Sequence, residues 1–225
     1  MLPAEVITAL LSPVPGAGNM NVAGLVLAAG GGSRFGRPKA EVEVGGRRLV
    51  DLAIESCIHA GLSPVVVVLG ASLLTPMTPM TPMTPDGQND NPNDNPADVR
   101  LVENADWATG MSSSLRAGLA ALEAEPGIDA VVVTLVDTPS VGEEHLRRIG
   151  LALRDGATAA VATYEGKART PVGLTREVWA DVARTVAGDE GARGWLRAHP
   201  HLVTEVDCAD LGSWTDVDTS ADLPD

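Results

Sequence analysis

Apolar residues gather in short continuous runs rather than in strict alternation. Residues 22–29 (VAGLVLAA), 64–70 (PVVVVLG), 130–136 (AVVVTLV) and 158–164 (TAAVATY) have strand length and are rich in valine and alanine. Such runs suit strands buried on both faces of a parallel sheet. Shorter extended pieces are predicted at 41–44, 99–102 and 202–206. Between them the spacing becomes helical. Leu49, Leu52, Ala53, Ser56, Cys57 and Ala60 predict a helix over 49–60, closed by Gly61. Further helices are predicted over 141–154 and 178–186. One more opens near Ser112, whose hydroxyl is expected to cap it, and another follows Asp189, read as its N-cap. Strand, helix and strand in succession imply right-handed crossovers and a mainly parallel α/β sheet.

Two stretches break the pattern. Residues 75–84 repeat Thr-Pro-Met three times, and 86–98 are rich in Asn, Asp and Pro. Proline at every third position forbids helix and ladder hydrogen bonding, and the following stretch has too little apolar content to fold alone. Residues 73–97 are therefore expected to be a disordered surface insertion within one domain spanning 21–225. Residues 1–20 read as a flexible tail; the run VITALL has neither a basic flank nor a small-residue cleavage site.

The chemistry concentrates after the first strand. Three glycines, Gly30, Gly31 and Gly32, lead into Ser33, Arg34, Phe35, Gly36, Arg37, Pro38 and Lys39. Glycines at the carboxyl end of a buried strand let backbone N–H groups approach an anion. Arg34 and Lys39 add positive charge at the same end, and Lys39 is read as an exposed loop cation. The spacing is not that of a P-loop, because Arg37-Pro38 stand where Lys-Ser/Thr is required. It is not a dinucleotide fingerprint either, because the third glycine would fall on Phe35. At the end of the 130–136 strand stands Asp137. There a carboxylate can hold Mg²⁺ against a triphosphate, or cap the helix that follows.

A net charge of −14 argues against a nucleic-acid partner. One basic loop and a divalent metal can still admit a small anion. Only Cys57 and Cys208 occur, which fits a reducing, cytoplasmic compartment better than a disulfide framework. No apolar run reaches the length of a membrane span. The four histidines, His59, His145, His199 and His201, show no zinc spacing.

The segment LAAGGGSRFGRPKA (27–40) resembles the loop L-A-A-G-x-S-x-R-M/F-G-x-x-K of the MobA/MocA-like nucleotidyltransferases, the molybdenum-cofactor guanylyl- and cytidylyltransferases and their relatives. Residues 103–119 carry Asn104, Trp107 and GMSSSLRAG, similar to the MocA-like branch. Residues 135–139 (LVDTP), 188–193 (GDEGAR) and 216–223 (DVDTSADL) resemble further family motifs; Ser220 and Ala221 depart from the last. The resemblance covers residues 22–223 apart from the insertion. It implies a three-layer α/β/α, Rossmann-like fold of the nucleotide-diphospho-sugar-transferase type.

By the same resemblance, Leu27, Ala28, Ala29, Gly30, Gly31, Gly32, Ser33, Arg34 and Lys39, with Gly110, Met111, Ser112 and Ser113, form the nucleotide site. Lys39 and Arg34 are the catalytic cations, and Asp137 and Asp218 are the Mg²⁺ ligands. The implied reaction moves an NMP unit from an NTP to a small phosphorylated acceptor such as molybdopterin, releasing pyrophosphate. The second alanine of LAAG and the GMSSSLRAG stretch lean toward CTP over GTP. Ala168-Arg169-Thr170 stands where relatives carry Arg-Gly-His beside the acceptor, so the acceptor side departs from the family. Two alternatives stand beside this reading: a divergent member of the nicotine blue oxidoreductase type, and a non-catalytic nucleotide-binding protein of cofactor maturation.

Overall fold

The computed structural model describes residues 20–32, 35–72, 98–212, 214–217, 219 and 222. The expected tail over residues 1–19 and the expected insertion over 73–97 lie outside them, as do Ser33, Arg34 and Asp218. In chain order the strands are β1 (Val22–Leu27), β2 (Glu43–Val44), β3 (Arg47–Arg48), β4 (Val65–Leu69), β5 (Val99–Glu103), β6 (Ala130–Leu135), β7 (Ala159–Tyr164), β8 (Lys167–Thr175) and β9 (Val203–Asp207). The α-helices are α1 (Leu49–His59), α2 (Met111–Glu123), α3 (Glu143–Arg154), α4 (Arg176–Thr185) and α5 (Arg193–Ala198).

A seven-stranded sheet in the order β5-β4-β1-β6-β8-β7-β9 forms the middle layer. β1 lies between β4 and β6, parallel to both, with Gly24 opposite Val65 on one side and Val132 on the other. All six residues of β1, β6 and β7 are buried, as the continuous apolar runs require. The two faces bury different sets. Val22, Val26, Val65, Val67 and Val132 pack against Leu49, Ile54 and Cys57 of α1 and Leu146, Ile149 and Leu153 of α3. Ala23, Leu25, Leu27, Val66 and Val131 pack against Leu115, Leu119 and Leu122 of α2, Trp179 and Val182 of α4, and Trp195 and Leu196 of α5. The result is the expected three-layer α/β/α architecture.

One strand of the sheet runs against the rest. β8 pairs antiparallel with both β6 and β7. Its direction follows from the two-residue turn before it, where Glu165 has φ 51° and Gly166 has φ 74°. Positive φ at both central positions is the mark of a tight hairpin, which can only reverse the chain. The turn is therefore confined to Glu165 and Gly166, and Lys167 and Ala168 already belong to β8.

The capping expectations are corrected by the structure. α2 begins at Met111, Gly110 is its N-cap residue, and no side chain of that residue caps it. The Ser112 hydroxyl is buried without a partner among the described residues. The cap comes from a distant loop: the Met111 N–H donates to Asp189 Oδ1 at 3.2 Å, and the Ser112 N–H donates to the Gly188 carbonyl at 2.9 Å. Asp189 therefore serves α2 rather than the helix after it, since α5 has Ala192 at its N-cap position and no side-chain cap. Asp137 does not cap α3 either, whose N-cap residue is Gly142 without a side-chain bond.

Candidate active site

The carboxyl ends of β1 and β6 lie side by side, so the glycine loop after one strand faces Asp137 after the other. Gly32 turns the chain with φ 58°, and a Cβ there would collide with the Arg37 carbonyl oxygen. The Gly32 carbonyl accepts hydrogen bonds from the N–H groups of Phe35 at 2.8 Å and Gly36 at 2.9 Å. This compact turn leads into a short 3-10 helix (Lys39–Glu41), fixed to the core by the fully buried Ala40.

Lys39 is thereby directed at Asp137. Its Nζ donates to Asp137 Oδ2 at 2.7 Å, with side-chain exposures of only 16% and 21%. Lys39 is thus not the exposed loop cation expected from the sequence. The other Asp137 oxygen, Oδ1, is buried and has no hydrogen-bond partner among the described residues. The Asp137 carbonyl accepts from the Val217 N–H at 2.8 Å, which docks the chain just before Asp218 onto the same strand end.

A cavity of about 300 Å³ opens at this point, lined by Gly30, Gly31, Lys39, Gly110, Met111 and Asp137 among others. Of the residues singled out in the sequence, Leu27 also lines it, whereas Ala28, Ala29, Gly32, Ser112 and Ser113 do not. Ala28 and Ala29 instead join strand ends: the Ala28 N–H donates to the Val68 carbonyl, and the Ala29 carbonyl accepts from Ala71. Ser113 accepts from Asn104 Nδ2 at 2.8 Å and donates toward the carbonyls of Gly110 and Asp106. That network holds the residue 104–110 loop against the start of α2.

The structure adds Trp107, Ala108, Ser114 and Asp189 to the cavity wall. The Trp107 ring lies so close to Gly31 that a Cβ there would stand 3.0 Å from it. Trp107 was visible in the sequence only as a motif residue, because nothing local shows that it meets a glycine seventy-odd positions earlier. Asp189 was visible only as a motif residue and as the expected cap of the helix after it, since its actual partner is the backbone of another helix.

A second cavity, of about 330 Å³, shares Leu27, Met111 and Leu135 with the first. It lies against β7, β8 and α5. Arg169, in the segment that departs from the family, lines it and stacks over the Trp214 ring at 4.0 Å. Neither cysteine lines either cavity. Both thiols are buried, and burial pushes Cys57 up to about 12.

The MobA-like NTP transferase domain matches residues 24–203. The nicotine blue oxidoreductase of Paenarthrobacter nicotinovorans is 36% identical over 205 residues, covering 88% of this chain and 92% of the relative. A mycobacterial homologue (strain JC1) of Mycobacterium tuberculosis Rv0371c superposes with a TM-score of 0.69 at 26% identity, covering 90% and 92% of the two chains. A nucleotidyl transferase from Methanothermobacter thermautotrophicus superposes with a TM-score of 0.64 at 20% identity, covering 91% and 94%, and so shares the fold. With the glycine loop, Lys39 and Asp137 meeting at adjacent strand ends, and with that match over most of its length, this chain belongs to the MobA-like NTP transferase family and is a nucleotidyltransferase.

Proposed function

We propose that the chain moves an NMP unit from an NTP, CTP in preference to GTP, to a small phosphorylated acceptor, and that it does so with Mg²⁺. The observation that carries this reading is the Lys39–Asp137 pair with its partnerless Oδ1. A buried carboxylate oxygen without a donor is a costly arrangement unless a cation completes it. Asp137, with Asp218, is the group that would hold the metal, and the metal when bound would neutralise phosphate charge. The rest is positioning. Backbone N–H groups of residues 30–34 would receive the β- and γ-phosphates, and Arg34 would add charge there. Lys39 would meet the α-phosphate or the oxygen bridging to the leaving pyrophosphate.

In the reaction an acceptor oxygen forms a bond to the α-phosphorus while the bond from that phosphorus to the bridging oxygen breaks. The electron pair leaves with pyrophosphate. An acceptor phosphate needs no base, so no protein nucleophile is required, and none of the thiols is placed for one. Such transfer depends on charge stabilisation and alignment rather than covalent catalysis.

The P. nicotinovorans relative, named a nicotine blue oxidoreductase, supports a second reading, an oxidoreductase. A reduced nicotinamide would then be needed, and the glycine spacing is not a dinucleotide fingerprint. Molybdopterin is one acceptor to test. The decisive experiment is pyrophosphate release from CTP, GTP and ATP with MgCl₂, in the presence of molybdopterin, sugar phosphates or polyol phosphates. Release with one NTP supports the transferase. No release together with no Mg²⁺-dependent NTP binding sinks it. Oxidation of NADH or NADPH by the same protein would favour the second reading.

A further inference from the structure

The second cavity is built unlike the first. Its walls include Leu27, Leu115, Val133, Val161, Val172 and Leu196, side chains that belong to the packed layer between the sheet and α2, α4 and α5. These six side chains offer no hydrogen bonds. Polyol hydroxyls set against them would go unsatisfied, each at a desolvation cost, whereas an apolar ring would gain by leaving water. The polar side chains of the lining, Arg169, Thr170, Glu190, Arg193 and Arg197, come only from residues 169–170 and 190–197. At about 330 Å³ the space lies at the lower end of the range for small-molecule sites.

The charge in the lining has one sign to spare. Glu190 is engaged by Arg197 through both carboxylate oxygens at 3.0 Å. Arg169 and Arg193 have no carboxylate partner among the described residues, in a chain of net charge −14. Arg169 is held rather than free. Its guanidinium lies 4.0 Å from the centre of the Trp214 ring, its Nη1 donates to the Ala168 carbonyl at 2.9 Å, and its buried Nε has no acceptor. A preorganised guanidinium with unused donors beside an apolar wall is a receptor for an anionic group.

We infer that this cavity takes an amphipathic anion: a ring-sized, largely apolar body carrying one phosphate or carboxylate, the anion on Arg169 with Arg193 assisting. The inference rests on the nucleotidyltransferase reading only in calling this ligand the acceptor, because the two cavities share walls at Leu27, Met111 and Leu135. It sets the acceptor class apart from polyol phosphates.

The test is isothermal titration of the full chain with 1-naphthyl phosphate, 1-naphthoate, 1-naphthol and sn-glycerol 3-phosphate. CTP and GTP with MgCl₂ are titrated in parallel. The two naphthyl anions are expected to bind at least tenfold more tightly than naphthol or glycerol 3-phosphate, and their ratio separates phosphate from carboxylate. Arg169→Gln should weaken naphthyl anions at least tenfold, and Arg193→Gln several-fold. Val172→Thr, nearly isosteric, should weaken them while leaving glycerol 3-phosphate unchanged. Lys39→Met should leave them unchanged. Circular dichroism confirms the fold of each variant. Glycerol 3-phosphate binding as tightly as naphthyl phosphate would overturn the inference. So would an Arg169→Gln variant that binds like the parent, or complete displacement of naphthyl phosphate by Mg-CTP or Mg-GTP. Naphthyl anions binding as expected to a chain that binds no NTP would refute the transferase reading and leave the ligand class standing.

Discussion

Lys39→Met probes how the site is held before any ligand enters. The Lys39–Asp137 contact is 2.7 Å, and the side chains are 16% and 21% exposed. Exposed pairs are worth at most about 1 kcal/mol, and losing one partner of a fully buried pair costs about 3–5 kcal/mol. At intermediate burial, Lys39→Met is expected to cost about 1–3 kcal/mol. In a chain of this size each kcal/mol lowers Tm by about 2–4 °C. Lysine also packs its stem, so the single variant does not isolate the pair. Asp137→Asn and the double variant complete a cycle, read by urea denaturation at constant m-value. The coupling should be about 1–2 kcal/mol, well above the roughly 0.3–0.5 kcal/mol scatter of independent sites. In the same variant, pyrophosphate release should fall by about 10²–10³-fold, as for loss of one group stabilising transition-state charge. Coupling within the additive scatter would refute the pair as a feature of the protein in solution. Undiminished turnover would remove Lys39 from the chemistry.

Three further outcomes are expected. Gly118 of α2 faces Leu25 of β1, where a Cβ would stand 2.8 Å from Leu25 Cδ2 and closer still to Cδ1. Gly118→Val should therefore cost about 1–3 kcal/mol by overpacking, measured by urea denaturation, and a neutral result would mean that α2 moves freely off the sheet. His145 is buried beside Tyr164, with ring centroids 5.9 Å apart. Burial first, and then the charge of Arg148, hold its imidazole below the ordinary value of 6.5. The unfolded chain therefore takes up that proton first. Stability is full above the unfolded value and is lost as pH falls below it. His145→Phe should flatten the loss of Tm between about pH 7 and pH 5, and an unchanged slope would contradict this role. Trp107 lines the first cavity, so Mg-CTP should change the intrinsic tryptophan fluorescence. Trp107→Phe should remove most of that change, and a full response in the variant would place the nucleotide elsewhere.

What the sequence determined by itself was the set of elements and the end of the sheet where chemistry gathers. Continuous valine-rich runs can be stable only as strands covered on both faces, so β1, β4, β6 and β7 were legible, as were the helices that cover them. The glycines after β1 and the aspartate after β6 could be assigned to one end because parallel strands present all their carboxyl ends together.

Tertiary structure decided the pairings between distant residues. Asp189 looked like the cap of its own helix but satisfies the N-terminus of α2, 78 positions away. A free backbone N–H carries no sequence label, so no local pattern reveals that choice. Ser112 had the composition of a cap, yet the helix begins one residue earlier and turns its hydroxyl inward. Lys39 looked exposed because loops usually are, but the turn at Gly32 and the anchor at Ala40 carry it onto Asp137. Likewise Arg169 was visible as a departure from a motif, while its stacking on Trp214 and the apolar walls beside it exist only once β8, α5 and the chain around residue 214 converge. Periodicity records which face of an element is buried. Which polar groups meet across faces is settled by the geometry that packing imposes.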